Sequence, residues 1–370
     1  MTTHSQGRPP FRADHIGSLL RPQALRQAFR RHAAGEIGEA EFARIQDDCI
    51  RAAIRMQEEI GFEMATDGEF RRGSYWGRFV ERTAGLEIRP ALLRFRDDHG
   101  EEVDFTAPVA SARIKRTGPL AADEHAFLQQ ASRVTAKITL PAPSTMHFFR
   151  FSDFAAAGAY ADVRSFFADL NAVYRDELAD LASAGCRYIQ LDEVAIALLC
   201  DPAIRSKVKT GGSDPDGLVD LYIGAINAAV SACPADTVVG VHMCRGNFRG
   251  RYLGEGGYDS VAERFFARTR VNHFLLEYDT ARAGDFAPLR FVPKGKGVVL
   301  GLISTKTPAI ESIDALHRRV EEATRHIALD QLAISPQCGF ASTAAGNPLT
   351  DSDQHAKLRL VVETAKSIWR

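Results

Sequence analysis

Residues 240–247 contain a histidine and a cysteine two positions apart, His242 and Cys244. They follow the apolar run 237–241, which predicts a buried β-strand. Because residues i and i+2 of a strand point to the same side, the imidazole and the thiol would face one point just beyond the strand end. Imidazole nitrogen and thiolate sulfur are ligands that zinc favours. The spacing therefore predicts half of a zinc site.

Two further candidate metal ligands follow later predicted strands. Glu277 comes directly after the apolar stretch 272–276, and Cys338 lies in a Pro-x-Cys-Gly turn after 331–335. Together with His242 and Cys244 they make a four-ligand set of the kind that binds zinc tetrahedrally. The sequence thus predicts four metal ligands from three different strand ends.

Each of these residues also has a purely structural interpretation. A His-x-Cys pair is common by chance, and His242 alone fits a hydrogen-bonded core histidine. Glu277 alone fits a rim carboxylate paired with Arg245 or Arg282. The metal site is favoured by the combination with Cys338, and not by any single member.

The charge of this ligand set indicates which chemistry it suits. Zinc bound by a neutral histidine, two thiolates and a carboxylate carries a net charge of −1, which makes it a weak Lewis acid towards water. It is better suited to holding a substrate thiolate, because a free thiol is only ~3% ionised at pH 7 whereas metal coordination deprotonates it. Glu277 is the hardest of the four ligands, so we expect an incoming substrate sulfur to displace it.

Three other predicted strand ends carry polar groups that suit an α-amino acid. Ser18, in Ile-Gly-Ser, offers a hydroxyl beside a glycine turn for a carboxylate, and Glu69 and Asp192 offer two carboxylates for an ammonium group. The structural alternative pairs Glu69 with Arg71 or Arg72 and Asp192 with a nearby arginine.

Composition excludes several classes of function. The chain has 370 residues and a formal net charge of −1, which gives no support for a nucleic-acid or membrane-surface partner. The first residues contain no apolar signal segment, and no run of about 18 apolar residues predicts a membrane span. We therefore expect a cytoplasmic protein, in which the scattered cysteines stay reduced.

Strands and helices alternate along the chain. The eight predicted strands are 11–18, 62–69, 134–140, 187–191, 237–241, 272–276, 297–302 and 331–335. Eight βα units without a glycine-rich nucleotide loop predict an α/β fold, a (β/α)8 TIM barrel, and not an open doubly wound sheet. The polar residues fall at the carboxyl ends of the strands, where such barrels hold their active sites.

The remaining segments complete the predicted domain organisation. We expect residues 70–132 to be an insertion after strand 2. The insertion should contain a β-hairpin, because an Asp-Asp-His-Gly turn lies between the strand-like segments 93–96 and 103–105. Residues 1–10 are expected to be a loose tail, and 1–370 a single catalytic domain. Thr307 and Pro308 are expected to cap the helix that follows Lys306.

The chain resembles the catalytic C-terminal half of cobalamin-independent methionine synthase and its short single-barrel relatives. The matching motifs, in the family's order, are Ile16-Gly17-Ser18, Gly68-Glu69, Gln190-Leu191-Asp192-Glu193, His242-Met243-Cys244, Leu276-Glu277 and Pro336-Gln337-Cys338-Gly339. The resemblance implies that zinc, held by the four ligands named above, activates the sulfur of homocysteine for methyl transfer. It also implies that Ser18 holds the amino-acid carboxylate, and that Glu69 and Asp192 hold its ammonium group.

The chain departs from the long enzymes of this family in three ways. Because the first predicted strand begins near Phe11, we expect no extra N-terminal barrel, which in those enzymes helps to bind the polyglutamylated folate. Lys306 stands where they have a catalytic histidine after strand seven, and Phe149 replaces a tryptophan that stacks on the pterin. These departures weaken the expectation of a folate donor and leave the zinc–thiolate half intact. Lys306 and Asp192 are the predicted catalytic residues.

The sequence therefore predicts a zinc-dependent S-methyltransferase whose partners are a small-molecule thiol, most naturally homocysteine, and a methyl donor. The donor is methyl-tetrahydrofolate or another methyl carrier, for which a methyl-carrier protein is one candidate. The main alternative is an alkyltransferase of the epoxide–coenzyme M type. Glu69 and Asp192 disfavour that alternative because they would repel a sulfonate. A non-catalytic zinc or corrinoid-protein-binding module and a metal-free decarboxylase-like barrel are the remaining alternatives.

Overall fold

A computed structural model describes residues 7–369, so most of the predicted tail lies outside the described residues. Within that range the β-strands are β1 (Met64–Ala65), β2 (Thr83–Pro90), β3 (Phe95–Arg96), β4 (Glu102–Val103), β5 (Thr106–Arg116), β6 (Thr135–Pro141), β7 (Tyr188–Glu193), β8 (Val238–Met243), β9 (His273–Glu277), β10 (Gly297–Ile303) and β11 (Leu332–Pro336). The α-helices are α1 (Gln23–Ala33), α2 (Glu39–Ile60), α3 (Gly77–Glu81), α4 (Ala122–Ala131), α5 (Val163–Ser183), α6 (Ala195–Leu198), α7 (Pro202–Thr210), α8 (Pro215–Val230), α9 (Ala262–Arg268), α10 (Ile313–Thr324) and α11 (Asp351–Ile368).

Seven of these strands form one parallel sheet in the order β1-β6-β7-β8-β9-β10-β11. Every residue of β7, β8, β9, β10 and β11 is buried, because a parallel sheet has both of its faces covered. The α/β architecture is that of a TIM-barrel-like fold. Because all pairs in this sheet are parallel, the carboxyl ends of the strands lie at one edge of the sheet.

The first two predicted strands are much shorter than expected. Instead of a strand over 11–18, Ala13 makes an isolated parallel bridge with Ile334 of β11. Instead of a strand over 62–69, only Met64–Ala65 pairs with β6. Side chains take the place of the ladder here: Gln57 bonds both the N–H and the carbonyl of Thr66.

Residues 70–132 contain two antiparallel pairs and two helices, α3 and α4. In the stretch where the sequence predicts a hairpin, β3 pairs with β4 over two residues, and the longer strands β2 and β5 pair beside them. Phe105, which precedes β5, and Phe95 of β3 approach the carboxyl edge of the parallel sheet, where they line the cavity described below. This segment therefore contributes side chains to the candidate site.

The predicted cap of the tenth helix is wrong. Helix α10 begins at Ile313, and its cap is Ser312, whose hydroxyl accepts the N–H of Ala315. Thr307, Pro308 and Ile310 lie in an irregular segment before it, and Ile310 is 52% exposed. None of the helices in residues 7–369 has the length and apolar character that crossing a bilayer requires.

Candidate metal centre and substrate cavity

Three of the four predicted ligands meet at the carboxyl ends of β8 and β11. The donor atoms of His242, Cys244 and Cys338 all lie within 4.8 Å of one another, and all three residues are buried. The two sulfur atoms are 3.4 Å apart, and both cysteines are free thiols. Two sulfurs and an imidazole so close together in the interior are the donors that a zinc ion requires.

The imidazole of His242 is oriented by the neighbouring strand. Its Nδ1 lies 3.3 Å from the carbonyl oxygen of Leu275 in β9, which fits an Nδ1–H donor. Nε2 has no hydrogen-bond partner in the described chain. A ligating histidine is typically fixed in this way, with one ring nitrogen bonded to a carbonyl and the other free for the metal.

A glycine turn holds the sulfur of Cys244. The N–H of Gly246 points at this sulfur at 3.3 Å, and Gly246 has a φ of 91°, in the left-handed region that favours glycine. The contact between the two cysteine sulfurs shifts their pKa values in opposite directions. The pKa of Cys338 falls well below its ordinary value because the Cys244 thiol donates to it, while the pKa of Cys244 rises.

Glu277, the fourth predicted ligand, ends β9 but is not part of the three-residue cluster. Its Oε2 accepts the backbone N–H of Arg245 at 2.9 Å, whereas its Oε1 has no hydrogen-bond partner among the described residues. A buried carboxylate oxygen without a partner is costly unless a cation neutralises it. The donor set thus fits zinc, and the place of Glu277 in it stays a prediction.

Lys306 lies beside this carboxylate and not in the cavity. Its buried Nζ is 3.6 Å from Oε1 of Glu277. Burial lowers the pKa of Lys306, but the carboxylates of Glu277 and Asp279 outweigh burial and leave the pKa raised. The lysine is therefore a positive charge at the metal end of the site, and its predicted catalytic role is not tested by this geometry.

A cavity of about 450 Å³ opens from the two sulfurs toward the surface. Its lining includes His242, Cys244 and Cys338, together with the predicted substrate residues Ser18, Glu69 and Asp192. The structure thus brings six of the predicted site residues to one cavity. Glu277 and Lys306 are not among the residues that line it.

Glu69 is held in an unusual conformation. Its φ of 60° is uncommon for a residue with a side chain, and such strain clusters at functional sites. The hydroxyl of Thr139 donates to Oε1 at 2.8 Å, and Arg72 in turn donates to Thr139. Oε2 has no partner in the described chain, and burial raises the pKa of Glu69 despite the nearby guanidinium of Arg72. One oxygen of Glu69 is thus free for a ligand.

Asp192 faces His242 across two paired strands, β7 and β8. The side-chain amide of Gln190 donates to its Oδ1 at 2.6 Å and also to the carbonyl of Ile16. The pKa of Asp192 is raised to about 7, because burial and the nearby carboxylate of Glu69 raise it more than His242 lowers it. A carboxyl group of this kind gains charge readily when an ammonium group arrives beside it.

Ser18 packs against the loop that carries Cys338. A Cβ on Gly339 would lie only 1.9 Å from the Ser18 hydroxyl, so this contact requires glycine. The Ser18 hydroxyl is 3.4 Å from the N–H of Ala341, and the Ser18 carbonyl accepts the N–H of Phe340. The serine is therefore fixed close to a metal ligand.

The structural alternatives are realised only in part. Arg72 lies 3.7 Å from Glu69, but its main partner is Glu124. Arg282 pairs with Asp98 and not with Glu277, and Arg71 pairs with Asp47.

Sequence reasoning assigned no supporting role to Thr139 or Gln190, whereas it named Arg245 as a structural partner of Glu277, which Arg245 contacts through its backbone N–H. Gln190 carried a usable signal, since position i−2 of a strand shares a face with Asp192. Thr139 acts through a tertiary contact with Glu69, which a single sequence does not reveal.

Comparisons with known proteins show which family the chain resembles. The profile of the family described as "Cobalamin-independent synthase, Catalytic domain" matches residues 11–367. "Uncharacterized protein YxjH" of Bacillus subtilis is 39% identical over 378 aligned residues, which cover 100% of this chain and 97% of that protein. A protein named "Methionine synthase" from Pyrococcus abyssi is 26% identical, over 88% of this chain and 85% of that one.

Solved structures give the same result. The Listeria monocytogenes protein described as a "Putative Vitamin-B12 Independent Methionine Synthase" has a TM-score of 0.77 and 31% identity, and the alignment covers 98% of this chain and 99% of that one. The sequence profile, the sequence relatives and this structure all match over most of the chain. The chain therefore belongs to the cobalamin-independent methionine synthase family, in which it corresponds to the catalytic domain.

Proposed function

We propose that this chain is a zinc-dependent S-methyltransferase that methylates the sulfur of homocysteine to give methionine. The observation that carries the proposal is the cluster of His242, Cys244 and Cys338, which lies in the same cavity as two buried carboxylates. The His/Cys cluster suits a substrate thiol and the two carboxylates suit a substrate ammonium group. An amino acid with a side-chain thiol carries both groups. The names of the methionine synthase relatives support the same substrate.

Four residues would hold the metal in this proposal: His242, Cys244, Cys338 and Glu277, whose Oε1 accepts no hydrogen bond in the described chain and lies 3.6 Å from Nζ of Lys306. Bound zinc would keep a substrate thiol ionised at neutral pH. Arg245 orients Glu277, since its backbone N–H bonds the other carboxylate oxygen.

Lys306 contributes the balancing charge. Its ammonium group lies 3.6 Å from the carboxylate of Glu277, in a buried position where two opposite charges stabilise each other strongly. The arrangement keeps Glu277 ionised, because Lys306 is the largest influence that lowers its pKa against burial.

The amino-acid end of the substrate would be bound by the other cavity residues. Glu69 offers a free oxygen, Asp192 has a pKa close to neutrality, and both suit an ammonium group. The hydroxyl of Ser18 would donate to the substrate carboxylate. The same carboxylates oppose a sulfonate, so nothing in the lining favours the epoxide–coenzyme M alternative.

The proposal does not specify which methyl donor the protein uses. Family membership supports a small-molecule donor, and a methyl-carrier protein finds no support in the relatives. Within this proposal the protein acts as a single catalytic domain over 1–370, with 70–132 as an insertion that contributes to the cavity.

The test is a methionine-forming assay with zinc-reconstituted protein, with homocysteine fixed and the donor varied. We expect methionine with at least one donor, and thermal stabilisation by homocysteine but not by coenzyme M. Glu69→Gln should weaken stabilisation by homocysteine, whereas the exposed Glu102→Gln should not. Stabilisation by coenzyme M alone, or no methionine from any donor, would overturn the proposal.

A further inference from the structure

Arg72 is a buried guanidinium next to the carboxylate that is expected to bind the substrate ammonium group. The side chains of Arg72 and Glu69 are 4% and 3% exposed, and Nη1 of Arg72 lies 3.7 Å from Oε1 of Glu69. An arginine this close to a carboxylate often pairs with it through two hydrogen bonds. In the described chain the two groups form no hydrogen bond, and Oε2 of Glu69 accepts none at all. Another group therefore holds Arg72.

That group is Glu124, near the start of helix α4. Its carboxylate is fully buried and accepts Nε of Arg72 at 3.2 Å and Nη2 at 2.6 Å. Thr139 takes the other donors of the guanidinium, since its hydroxyl accepts Nη1 at 3.0 Å and its carbonyl accepts Nη2 at 2.8 Å. All three nitrogens of Arg72 are thus engaged without Glu69.

The charge of Arg72 is balanced mainly by Glu124. Burial lowers the pKa of Arg72, but the carboxylate of Glu124 and, to a smaller extent, that of Glu69 raise it more, so the guanidinium stays charged. A buried charge that loses its partner is strongly unfavourable. Glu124 and Glu69 are the two carboxylates within 4.0 Å of Arg72 in the described chain. Without the charge of Glu124, a shift of about 1 Å would bring Arg72 into a hydrogen-bonded pair with Glu69.

A second buried guanidinium near Glu69 is also held by other groups. Nη1 and Nη2 of Arg21 donate to four backbone carbonyls, those of Glu69, Arg72, Ala341 and Thr343. Arg21 forms no ion pair with the Glu69 carboxylate within 4.0 Å in residues 7–369. The free oxygen of Glu69 thus depends on how the two arginines around it are occupied.

We propose that Glu124 is a positioning residue for substrate selection: it binds Arg72, so that Glu69 keeps a carboxylate oxygen for the ammonium group of an amino-acid thiol. The inference rests on the proposed function, because it concerns the ammonium end of the same substrate. Glu124 is not among the residues that line the cavity, so it acts through Arg72 and not by touching the substrate. Once Arg72 pairs with Glu69, an arriving ammonium group meets a carboxylate that is already neutralised.

The test compares two thiols that differ only in the ammonium group. Homocysteine carries it, whereas 4-sulfanylbutanoate keeps the thiol and the carboxylate and lacks it. Calorimetry on the zinc-loaded protein should show homocysteine binding about 10-fold or more tightly than 4-sulfanylbutanoate. In Glu124→Gln we expect this preference to fall to about 3-fold or less, with no weakening of 4-sulfanylbutanoate. A general loss of structure would weaken both thiols.

Two further variants separate the proposed role from a structural one. In the double variant Arg72→Gln/Glu124→Gln the preference for homocysteine should return, because no guanidinium then competes for Glu69. If Glu124 only stabilised the fold, the double variant would be no better than Glu124→Gln. Glu124→Asp keeps the charge on a shorter side chain, so it should lose about 2- to 5-fold of the preference.

Glu58→Gln is the matched control. Glu58 also receives Nε and Nη2 of an arginine, at 2.9 Å and 2.7 Å from Arg133, but it does not line the cavity and contacts neither Arg72 nor Glu69. This variant should keep the full preference for homocysteine. A loss as large as in Glu124→Gln would show that any broken glutamate–arginine pair has the same effect, and would overturn the inference.

The outcomes distinguish the inference from the proposed function. A preference unchanged in Glu124→Gln, or not restored in the double variant, would overturn the inference and leave the proposed function standing. If Glu124→Gln does not fold, an unchanged preference in Glu124→Asp would overturn it instead. No preference in the unaltered protein would overturn both the inference and the assignment of the ammonium group to Glu69. Failure to form methionine with any donor would overturn the proposed function alone, because the binding comparison does not depend on methyl transfer.

Discussion

The sulfur atoms of Cys244 and Cys338 lie 3.4 Å apart, although 94 positions separate the two residues in the chain. The cysteines come from turns after β8 and β11, two strands that are not neighbours in the sheet. Only the curvature of the sheet brings these two strand ends together. The proximity of the sulfurs is therefore a property of the fold, and it is what the metal assignment depends on.

Replacement of one sulfur should abolish metal retention. Cys338→Ala leaves one thiolate and one imidazole in the cluster, so we expect zinc content by elemental analysis to fall from about one per chain to near zero. Cys200→Ala is the matched control, because Cys200 is also buried but bonds a backbone carbonyl. Zinc content unchanged by Cys338→Ala would mean that this residue is not a ligand.

Gly339 should not tolerate a side chain. In Gly339→Ala the new methyl group would lie 1.9 Å from the hydroxyl of Ser18, so the two loops must separate. We expect the free energy of unfolding to fall by about 1–3 kcal/mol and the KM for homocysteine to rise, measured by urea unfolding and initial rates. Gly295→Ala is the control, since nothing lies within 4 Å of its added Cβ. Equal stability of the two variants would show that the Ser18 contact is not tight.

Thr139 should act as a positioning residue for Glu69. Thr139→Val keeps the shape of the side chain but removes the hydroxyl that donates to Oε1 at 2.8 Å. We expect the KM for homocysteine to rise by about 2- to 10-fold with little change in kcat, because binding and not transfer is affected. The buried Thr364→Val serves as the control. A fall in kcat at constant KM would contradict a role in holding the ammonium group.

The stability of the protein should depend on pH through a buried neutral histidine. Burial lowers the pKa of His147 to about 3, and its Nδ1 is 2.8 Å from the hydroxyl of Tyr222. Between pH 6.5 and 3 the unfolded chain binds a proton at this residue and the folded chain does not, so acidification favours unfolding. The loss should be about 1 kcal/mol per pH unit below pH 6.5.

Urea unfolding at several pH values checks this dependence. His147→Gln should flatten the decline in the free energy of unfolding between pH 6.5 and 4.5, whereas the exposed His99→Gln should not. A decline that is equally steep in His147→Gln would assign the pH dependence to other groups, such as the buried His15, whose pKa burial lowers to about 4.

The parts of the site that follow strand geometry were predictable from the sequence. The spacing of His242 and Cys244 fixes their common direction once the strand is recognised, and Asp192 lies opposite His242 because the strands pair in parallel. The fold class followed from the alternation of apolar runs with helices.

The parts that depend on tertiary contacts were not predictable. The strand predicted at 62–69 is short, and there the side chain of Gln57 bonds the backbone of Thr66 in place of a ladder partner. Residues 11–18 make only an isolated bridge through Ala13. The phenylalanines that line the cavity come from three separate parts of the sequence: Phe95 and Phe105 lie within 70–132, and Phe149 and Phe248 lie further along the chain. Likewise, the cap of α10 lies at Ser312, since the chain stays irregular after Thr307.

The most direct test of the account is X-ray absorption at the zinc edge of the purified protein, before and after the addition of homocysteine. We predict two sulfur neighbours at about 2.3 Å with the remaining ligands nitrogen or oxygen, and a third sulfur once homocysteine is bound. An unchanged number of sulfur neighbours, or no zinc in the protein, would contradict the claim that this cluster activates a substrate thiol.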